Sequence, residues 1–473
     1  MADGAVHALS DGTRPEYLTG NAAPSSEAPA AGRPSALLQL LAICIFFVPS
    51  SMIIEPIGAA GTVPLLLGCV ITLLWVLSLA MGLHNPLELR HPGRIGITLF
   101  LLGSLITYGA LYAGWTGGST VATRAAADRW LILVMVSLGV AMMIVERVRT
   151  TEDAKVLVRA LLAGGFFCCV VALVQFFLHI NPMIWVRDAM PGFTYNGGDT
   201  AFQERGVLTR VSGTTFHSIE LAVVAAMLLP LSIWRGVYDK SGRKWLHWLG
   251  TSLLVFAIAA TVSRSGILGV VVGLACLVPF LPKAARSWVA LVAPAAAAFL
   301  FLTIPGLVGT LLLVFSWGAE DPSITTRTDN YPRVVAMFQE RPILGTGPGN
   351  FVPGNLTLVL DNQYLGSLVT MGVVGLVAIG AYFVLPGASA LLAGSRARDP
   401  ELRSLCGALA GSGLVAAACS AGFDSLSFPV FALTYPFVVG LAGAAWIMVK
   451  REASTPTTLN VAARKAGQSI GVS

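Results

Sequence analysis

Arginine and hydroxyl side chains occur together at two places in the sequence. Arg210 opens the run Arg210-Val-Ser-Gly-Thr-Thr-Phe-His217, and Arg264 lies within Thr261-Val-Ser-Arg-Ser-Gly266. Arginine binds phosphate through a planar fork of donors and keeps its charge in any environment. Ser212 and Thr214 can present hydroxyls to an anion, or they can simply cap the helix that follows. The two runs favour a site for a phosphate-bearing ligand, with lipid-facing arginines as the alternative.

Two residues are candidates for acid–base chemistry. Asp361 stands directly before an apolar segment, where partial burial would raise its pKa towards a value useful for a general base. The alternative is that Asp361 caps the helix. His217 is a candidate base or hydrogen-bond donor, or a structural residue. We expect Glu220 and Asp424, which lie on or near other apolar segments, to make polar contacts rather than to react.

A third run, Pro342-Ile-Leu-Gly-Thr-Gly-Pro-Gly-Asn350-Phe, superficially resembles a phosphate-binding loop. No Lys follows the glycines and no strand precedes them, so we interpret it as a tight structural turn. The chain also lacks a DxD pair, a Walker loop, HExxH and GxSxG. Nucleotide-sugar, ATP-driven and hydrolase mechanisms therefore lack their usual residues, and we expect no metal and no cofactor.

Composition indicates where these residues lie. Of the 473 residues 55% are apolar and 11% are charged, less than half of the charged fraction of about 25% in soluble domains. This excludes a soluble enzyme. The 50 glycines are typical of closely packed transmembrane helices. The seven cysteines lie in apolar runs without CxxC spacing, which predicts neither disulfides nor a zinc site. The net charge of +6 reflects basic loops of a membrane protein rather than nucleic-acid binding.

Hydropathy predicts an all-α integral membrane protein with about twelve spans. The segments are 37–54, 61–82, 95–113, 130–146, 156–180, 216–234, 246–262, 265–282, 287–305, 364–385, 403–422 and 428–449. The stretch 246–282 is too long for one crossing, so a turn is expected at Ser263 to Gly266.

The positive-inside rule predicts the orientation. With both termini in the cytoplasm, every inner loop is basic and most of the 30 Lys and Arg residues are inside. Residues 1–36 and 450–473 are then cytoplasmic tails, the first disordered, around a membrane domain over 37–449. Two long loops, 181–215 and 306–363, face outward, and long loops often carry function. The outer basic residues are all arginines: Arg124, Arg129, Arg187, Arg205, Arg210, Arg264, Arg327, Arg333 and Arg341.

The sequence resembles the O-antigen ligase and polymerase superfamily of bacterial membrane glycosyltransferases over about 205–380. Arg210-Val-Ser-Gly-Thr is similar to its Arg-x-Ser-Gly-Thr block, and Thr261-Val-Ser-Arg264-Ser-Gly to its Ser-Arg-Gly/Ser turn. Arg327, followed by Tyr331 and Pro342, is similar to the stretch leading into the family's Pro-x-x-Gly-x-Gly-Pro-Gly-Asn-Phe block. Asp361-Asn362, nine residues and Gly372-Val-Val-Gly375 have the spacing of the ligase His-Asn/Ser/Gln-x9-Gly-x-x-Gly motif. Asp361 replaces the His that is typical of ligases to the lipid A core, which favours a polymerase over a ligase.

The resemblance implies a GT-C-like, metal-independent transfer at the outer face of the bacterial cytoplasmic membrane. The donor would be a glycan on undecaprenyl diphosphate, and the acceptor a hydroxyl on a glycan, lipid or protein. Arg264 and Arg210 would stabilise the diphosphate and Asp361 would receive the proton. Arg327, His217, Asn362, Tyr364 and Asn350 would bind substrate. A flippase or chain-length protein would be a partner.

Two alternatives stay open at this point. Twelve spans with both termini inside also suit a secondary transporter, although the two halves lack a matching pattern and midspan ionisable residues are scarce. A non-catalytic subunit of a glycan assembly complex fits the composition equally well.

Overall fold

The computed structural model describes residues 35–303, 331–351 and 360–454, apart from 87, 118, 197–201 and 206–207. The predicted tails, 1–36 and 450–473, lie almost entirely outside these ranges. The helices are α1 (Ala36–Phe47), α2 (Val63–Ala80), α3 (Pro92–Tyr112), α4 (Val121–Arg147), α5 (Thr151–Leu178), α6 (Met183–Asp188), α7 (Ser218–Tyr238), α8 (Lys244–Ala260), α9 (Arg264–Leu277), α10 (Lys283–Thr303), α11 (Tyr331–Glu340), α12 (Gln363–Arg396), α13 (Pro400–Cys419) and α14 (Pro429–Ser454).

Each predicted apolar segment overlaps one of these helices, although the segment 37–54 extends well past the end of α1 at Phe47. Within the described ranges, eight helices are long and apolar enough to cross a membrane, namely α2, α3, α4, α5, α7, α12, α13 and α14. Three shorter apolar helices are α1, α8 and α9 with its continuation to Phe280. The helical membrane class is therefore confirmed, whereas the number of crossings and their sidedness stay predictions. The stretch 246–282 divides into α8 and α9, as expected from its length.

The predicted loop 181–215 contains α6 and short strands. Strand β1 (Met52–Ile53) pairs antiparallel with β2 (Thr194–Tyr195), and β3 (Phe202–Arg205) pairs antiparallel with β4 (Leu208–Val211). In the second ladder Gln203 lies opposite Arg210. These ladders attach the loop to the bundle and hold the segment that leads into α7.

Ion pairs join the helix termini at one end of the bundle, which we call the basic end. Asp239, which caps the C-terminus of α7, lies 2.7 Å from Arg159 Nη2 on α5 and 3.2 Å from Arg235 Nε. Lys155 on α5 lies 2.8 Å from Glu401 on α13. These residues belong to the loops for which the sequence predicts a cytoplasmic location.

Aromatic side chains fill the centre of the bundle. Tyr382 on α12 stacks on Phe100 of α3 with 4.5 Å between ring centroids, and packs edge-on against Tyr435 of α14 at 5.0 Å. The Tyr435 hydroxyl donates to the carbonyls of Tyr382 and Phe383. Gly96 lets α3 approach α12, since a Cβ there would lie 2.6 Å from the Ala381 carbonyl oxygen. Small residues at such crossings are typical of membrane helices.

Candidate active site

The segment before α7 is fixed by a pair of amide hydrogen bonds. Gly213 N donates to Gln175 Oε1 at 2.8 Å, and Gln175 Nε2 donates to the Gly213 carbonyl at 2.9 Å. Gly213 has φ of +63°, and a Cβ there would lie 2.8 Å from Cys168 atoms of α5. The Gly of the Arg-x-Ser-Gly-Thr block is therefore required by the backbone conformation and by close packing on α5. Sequence reasoning missed Gln175, which lies inside an apolar helix.

Arg210 connects this segment to the turn between α8 and α9. Its side chain is buried, with 8% exposure, and its Nε donates to the Thr261 carbonyl at 2.8 Å. Arg264 follows three residues later as the first residue of α9, and it is half-buried. The structure thus brings together two arginine blocks that are 54 positions apart in sequence. Both arginines belong to one end of the bundle, which we call the site end.

His217 caps the N-terminus of α7. Its Nδ1 accepts a hydrogen bond from Ile219 N at 3.0 Å, so a neutral ring carries its proton on Nε2. Burial and the charge of Arg210 lower the pKa of His217 to about 4. The side chain is therefore neutral at physiological pH, with Nε2–H as a donor. His217 is therefore disfavoured as a general base, because Nδ1 already accepts from Ile219 N and Nε2 already carries a proton.

Glu220, in the first turn of α7, holds the site end to α14. Its carboxylate is fully buried and accepts from Phe216 N at 2.8 Å, Val430 N at 2.7 Å and Phe431 N at 3.0 Å. These three hydrogen bonds support the structural role that the sequence predicts for Glu220. Three backbone donors compensate for the burial of a polar group.

The entry of α12 carries the candidate base. Asp361 is exposed, and the next residue, Asn362, caps the helix by accepting at Oδ1 from Tyr364 N and Leu365 N. The Tyr364 hydroxyl donates to the Ala417 carbonyl of α13 at 2.7 Å. Asn362 and Tyr364, which we expected to bind glycan, thus both make structural hydrogen bonds. Asp361 is the residue of this block that is accessible to a ligand.

The α13–α14 loop lies against the entry of α12. Gln363 N donates to the Ser420 carbonyl at 2.9 Å, and Gln363 Oε1 accepts from Leu426 N at 2.7 Å. Burial, with the nearby charge of Asp361 as a smaller cause, raises the pKa of Asp424 to about 6. Asp424 is therefore a second carboxyl group beside Asp361. The sequence places these two residues 63 positions apart, so their proximity could not be read from it.

The end of α13 also contacts the start of α9. Cys419 Sγ donates to the Ser265 carbonyl at 3.3 Å. The end of α13 thus touches the residue after Arg264, and the next residue, Ser420, binds the start of α12. This connection places the arginine blocks and the carboxyl pair at the same end of the bundle.

The glycine run inserts into a break in α12. Gly372 has φ of +63° and ψ of −157° inside this helix. Thr346 N and Gly347 N donate to the Val369 and Thr370 carbonyls before the break, while Val373 N donates to the Pro342 carbonyl after it. The run therefore satisfies the backbone groups that the break exposes. This is the structural turn that the sequence favoured over a phosphate loop.

The remaining predicted residues have different outcomes. Asn350 Nδ2 donates to the Thr346 carbonyl, so it closes the glycine turn. Arg327 lies outside the described residues. Within the described ranges, no three His, Cys, Asp or Glu side chains are grouped as metal ligands would be.

Comparison with known families matches residues 249–380 to the O-antigen ligases. The matched segment begins in α8, includes Arg264, the glycine run and Asp361, and ends in α12. Arg210 and His217 precede it. No curated protein matches the chain. The match supports the resemblance that the sequence motifs predict, and over residues 249–380 the chain is similar to the O-antigen ligases.

Proposed function

We propose that the protein transfers a glycan from undecaprenyl diphosphate to an acceptor hydroxyl, without metal, at the outer face of the bacterial cytoplasmic membrane. The observation that carries this proposal is the convergence of Arg210, Arg264, Asp361 and Asp424 at the site end. This end is opposite to the basic end, for which the distribution of Lys and Arg predicts a cytoplasmic location.

The arginines would stabilise the leaving group. Cleavage of the bond between the anomeric carbon and the phosphate oxygen leaves both bonding electrons on the diphosphate. Arg264 and Arg210 are fixed in a partly buried site, where positive charge lowers the energy of that developing anion. The hydrogen bond from Arg210 to the Thr261 carbonyl orients its guanidinium and holds the turn that bears Arg264.

Asp361 would receive the acceptor proton. A new bond forms between the acceptor oxygen and the anomeric carbon, and the hydroxyl proton passes to the carboxylate. Exposure of Asp361 allows a bulky glycan or lipid acceptor to approach it. Asp424, beside it, would respond to the charge of Asp361 and hold a proton when the pH is below about 6.

Binding of the glycan would use groups at the rim. His217 offers Nε2–H as a donor, and Arg327 would bind the donor through its guanidinium. Asn350, Asn362 and Tyr364 would position these segments through their own hydrogen bonds. Within this activity we favour a polymerase over a ligase, because Asp361 replaces the ligase His.

A reconstitution assay tests the proposal. The purified protein is supplied with labelled undecaprenyl-diphosphate-linked repeat units, with EDTA and without nucleotide, and products are separated on a gel. We expect a ladder of products, and a loss of about a hundredfold or more in rate for Arg264→Ala and Asp361→Asn. Arg124→Ala is the matched control, since Arg124 is an exposed arginine that binds Ser119 at 2.8 Å and belongs to none of the four motif blocks.

The other outcomes separate the alternatives. Transfer of one intact glycan to an added acceptor, dependent on Arg264, would establish a ligase instead of a polymerase. Wild-type rates in both variants would refute the assigned residues. An unconsumed donor together with gradient-driven uptake into vesicles would replace the proposal by a transporter.

A further inference from the structure

A cavity of about 780 Å³ lies at the basic end, between the ends of α2, α4 and α14. It is remote from the candidate active site, because α4 has 27 residues, or about 40 Å of helix, between its two ends. Its lining includes Trp75 of α2, His84 of the following loop and Glu146 of α4. None of the proposed catalytic residues contributes to it.

The rim of the cavity is basic. Arg147 is the last residue of α4, Arg149 lies in the turn between α4 and α5, and Arg451 lies near the end of α14; all three side chains are exposed. Three arginines around one opening suit a phosphate group, since each guanidinium offers a fork of donors.

Each carboxylate of the lining accepts a hydrogen bond from a neighbouring side chain. Glu146 Oε1 accepts from Trp75 Nε1 at 3.1 Å and lies 3.5 Å from His84 Nε2. Glu88 Oε1 accepts from Asn85 Nδ2 at 3.2 Å. The bond from Trp75 fixes Glu146 to α2, where the charges of Arg147 and Arg149 also act on its carboxylate, whereas Glu88 is exposed. His84 itself is positioned by a 3.0 Å hydrogen bond between its Nδ1 and Ser78 Oγ.

The rest of the lining is apolar and continues into the outer surface of the bundle. Leu74 and Leu83 line the cavity with exposures of 45% and 70%. Met143, Ile447 and Met448 form further apolar wall. In a helix bundle that spans a membrane, Leu74 on α2 would face hydrocarbon, and Leu83, three residues after the end of α2, would lie near the membrane surface. A ligand that matches the whole cavity therefore combines a phosphate with an acyl chain.

We propose that this cavity binds the head group of an anionic phospholipid, with its phosphate at the three arginines and its acyl chain along Leu74 and Leu83. Basic pockets between helices on the cytoplasmic side of a membrane are suited to this kind of lipid. A free phosphate compound shares the arginine contacts but leaves the apolar wall unused. The bound lipid would join the ends of α2, α4 and α14, independently of the catalytic proposal.

Native mass spectrometry of the full chain tests this proposal. The wild type is transferred from nanodiscs that contain phosphatidylglycerol and phosphatidylcholine, and retained lipids are counted. We expect one phosphatidylglycerol molecule to be retained in preference to phosphatidylcholine. The triple variant Arg147→Gln, Arg149→Gln, Arg451→Gln should bind it at least about tenfold more weakly, since each basic residue near the surface contributes to lipid binding.

The control variant removes the same charge elsewhere at this end. Lys240→Gln, Arg243→Gln, Lys450→Gln changes three exposed residues that do not line the cavity, and we expect it to retain the lipid. Ile447→Trp keeps every charge but fills the cavity, and we expect it to lose the lipid.

Four results would overturn the proposal. Equal loss in both triple variants would indicate general attraction to an anionic surface. Displacement of the lipid by millimolar glycerol phosphate would indicate a soluble phosphate ligand. Equal retention of phosphatidylcholine, or retention by Ile447→Trp, would show that this cavity is not the site.

Discussion

At the residue scale, the polar side chains of the site end are of two kinds: some hold the backbone in place, and others are accessible to a substrate. Gln175, Glu220, Asn362 and Gln363 use their polar atoms to hold loops and helix starts. Their residue types are the same as those of many active-site residues, and only their hydrogen-bond partners reveal the difference. Accessibility distinguishes Asp361 from them, which is why we assign the proton acceptor to it.

The pH dependence of the reaction should show whether Asp424 influences Asp361. The pKa of Asp424 is raised to about 6, so the group is protonated below this value and charged above it. If the negative form orients the Asp361 carboxylate and the acceptor, kcat/KM should fall as the pH decreases through about 6. Asp424→Asn removes the titrating group, and we expect the wild-type decline near this pH to disappear.

The comparison requires a control for general acid sensitivity. Asp188→Asn alters another acid in the predicted outer loop 181–215 and should keep the wild-type pH profile. A profile for Asp424→Asn that declines at the same pH as the wild type would contradict the role of Asp424.

At the element scale, the break in α12 explains two sequence blocks together. The glycine run supplies donors to the Val369 and Thr370 carbonyls, and Gly372 supplies the positive φ that the break needs. The break lies about two and a half turns after the start of α12 at Gln363, so it positions the first part of α12 against the α13–α14 loop. The spacing between Asp361 and Gly372 in the sequence motif therefore corresponds to the length of the first part of α12, from its start to the break.

Substitution of Gly372 should disturb this arrangement. A Cβ at Gly372 would lie 2.3 Å from the Ile343 backbone, and the positive φ adds strain. We expect Gly372→Ala to lower the free energy of unfolding by about 2 kcal/mol or more, and to reduce the transfer rate. Thermal unfolding in detergent and the ladder assay measure these effects.

Gly380→Ala is the matched control in the same helix. No atom lies within 4 Å of a Cβ placed there, so this substitution should leave both stability and rate nearly unchanged. Equal stability of Gly372→Ala and Gly380→Ala would contradict the requirement for a glycine at the break.

At the scale of the whole molecule, the two ends of the bundle have different kinds of interaction. The site end is built from loops, a broken helix and backbone hydrogen bonds, whereas the basic end is joined by ion pairs. Arg159 donates to both carboxylate oxygens of Asp239 at 2.8 and 2.7 Å, and Ser241 N donates to the same group at 2.9 Å. This pairing joins α5 to α7, the helices that also carry Gln175 and Glu220 at the site end.

Loss of the Asp239 charge should destabilise the bundle. The hydrogen bonds from Arg159, Ser241 and Arg235 outweigh burial and hold the pKa of this carboxyl well below its usual range. Its contribution to stability is therefore fully present above the unfolded-state pKa of about 4 and is lost as the pH falls towards the folded-state pKa. At neutral pH, Asp239→Asn should lower the free energy of unfolding by about 3 kcal/mol, because it leaves Arg159 without its charged partner.

A double-mutant cycle isolates this ion pair. Thermal unfolding of Asp239→Asn, Arg159→Gln and the double variant gives the coupling, and we expect the double variant to lose less than the sum of the single losses. Additive losses would contradict a direct interaction between these two side chains.

Sequence patterns alone predicted the helical membrane class, the approximate positions of the apolar helices, the glycine turn and the resemblance to the O-antigen ligases. These features depend on local composition and on short motifs. A long apolar segment predicts a helix in the membrane, and a glycine in a turn predicts a positive φ. The sequence also indicated Arg210, Arg264 and Asp361 as candidates, but it could not separate Asn362 and Tyr364 from them. The packing of the helices shows which groups lie together: Arg210 donates to the turn that bears Arg264, Asp424 lies close enough to Asp361 to respond to its charge, and Gln175 binds Gly213. Such contacts join residues on different helices, and helix packing, which no local pattern encodes, brings them together.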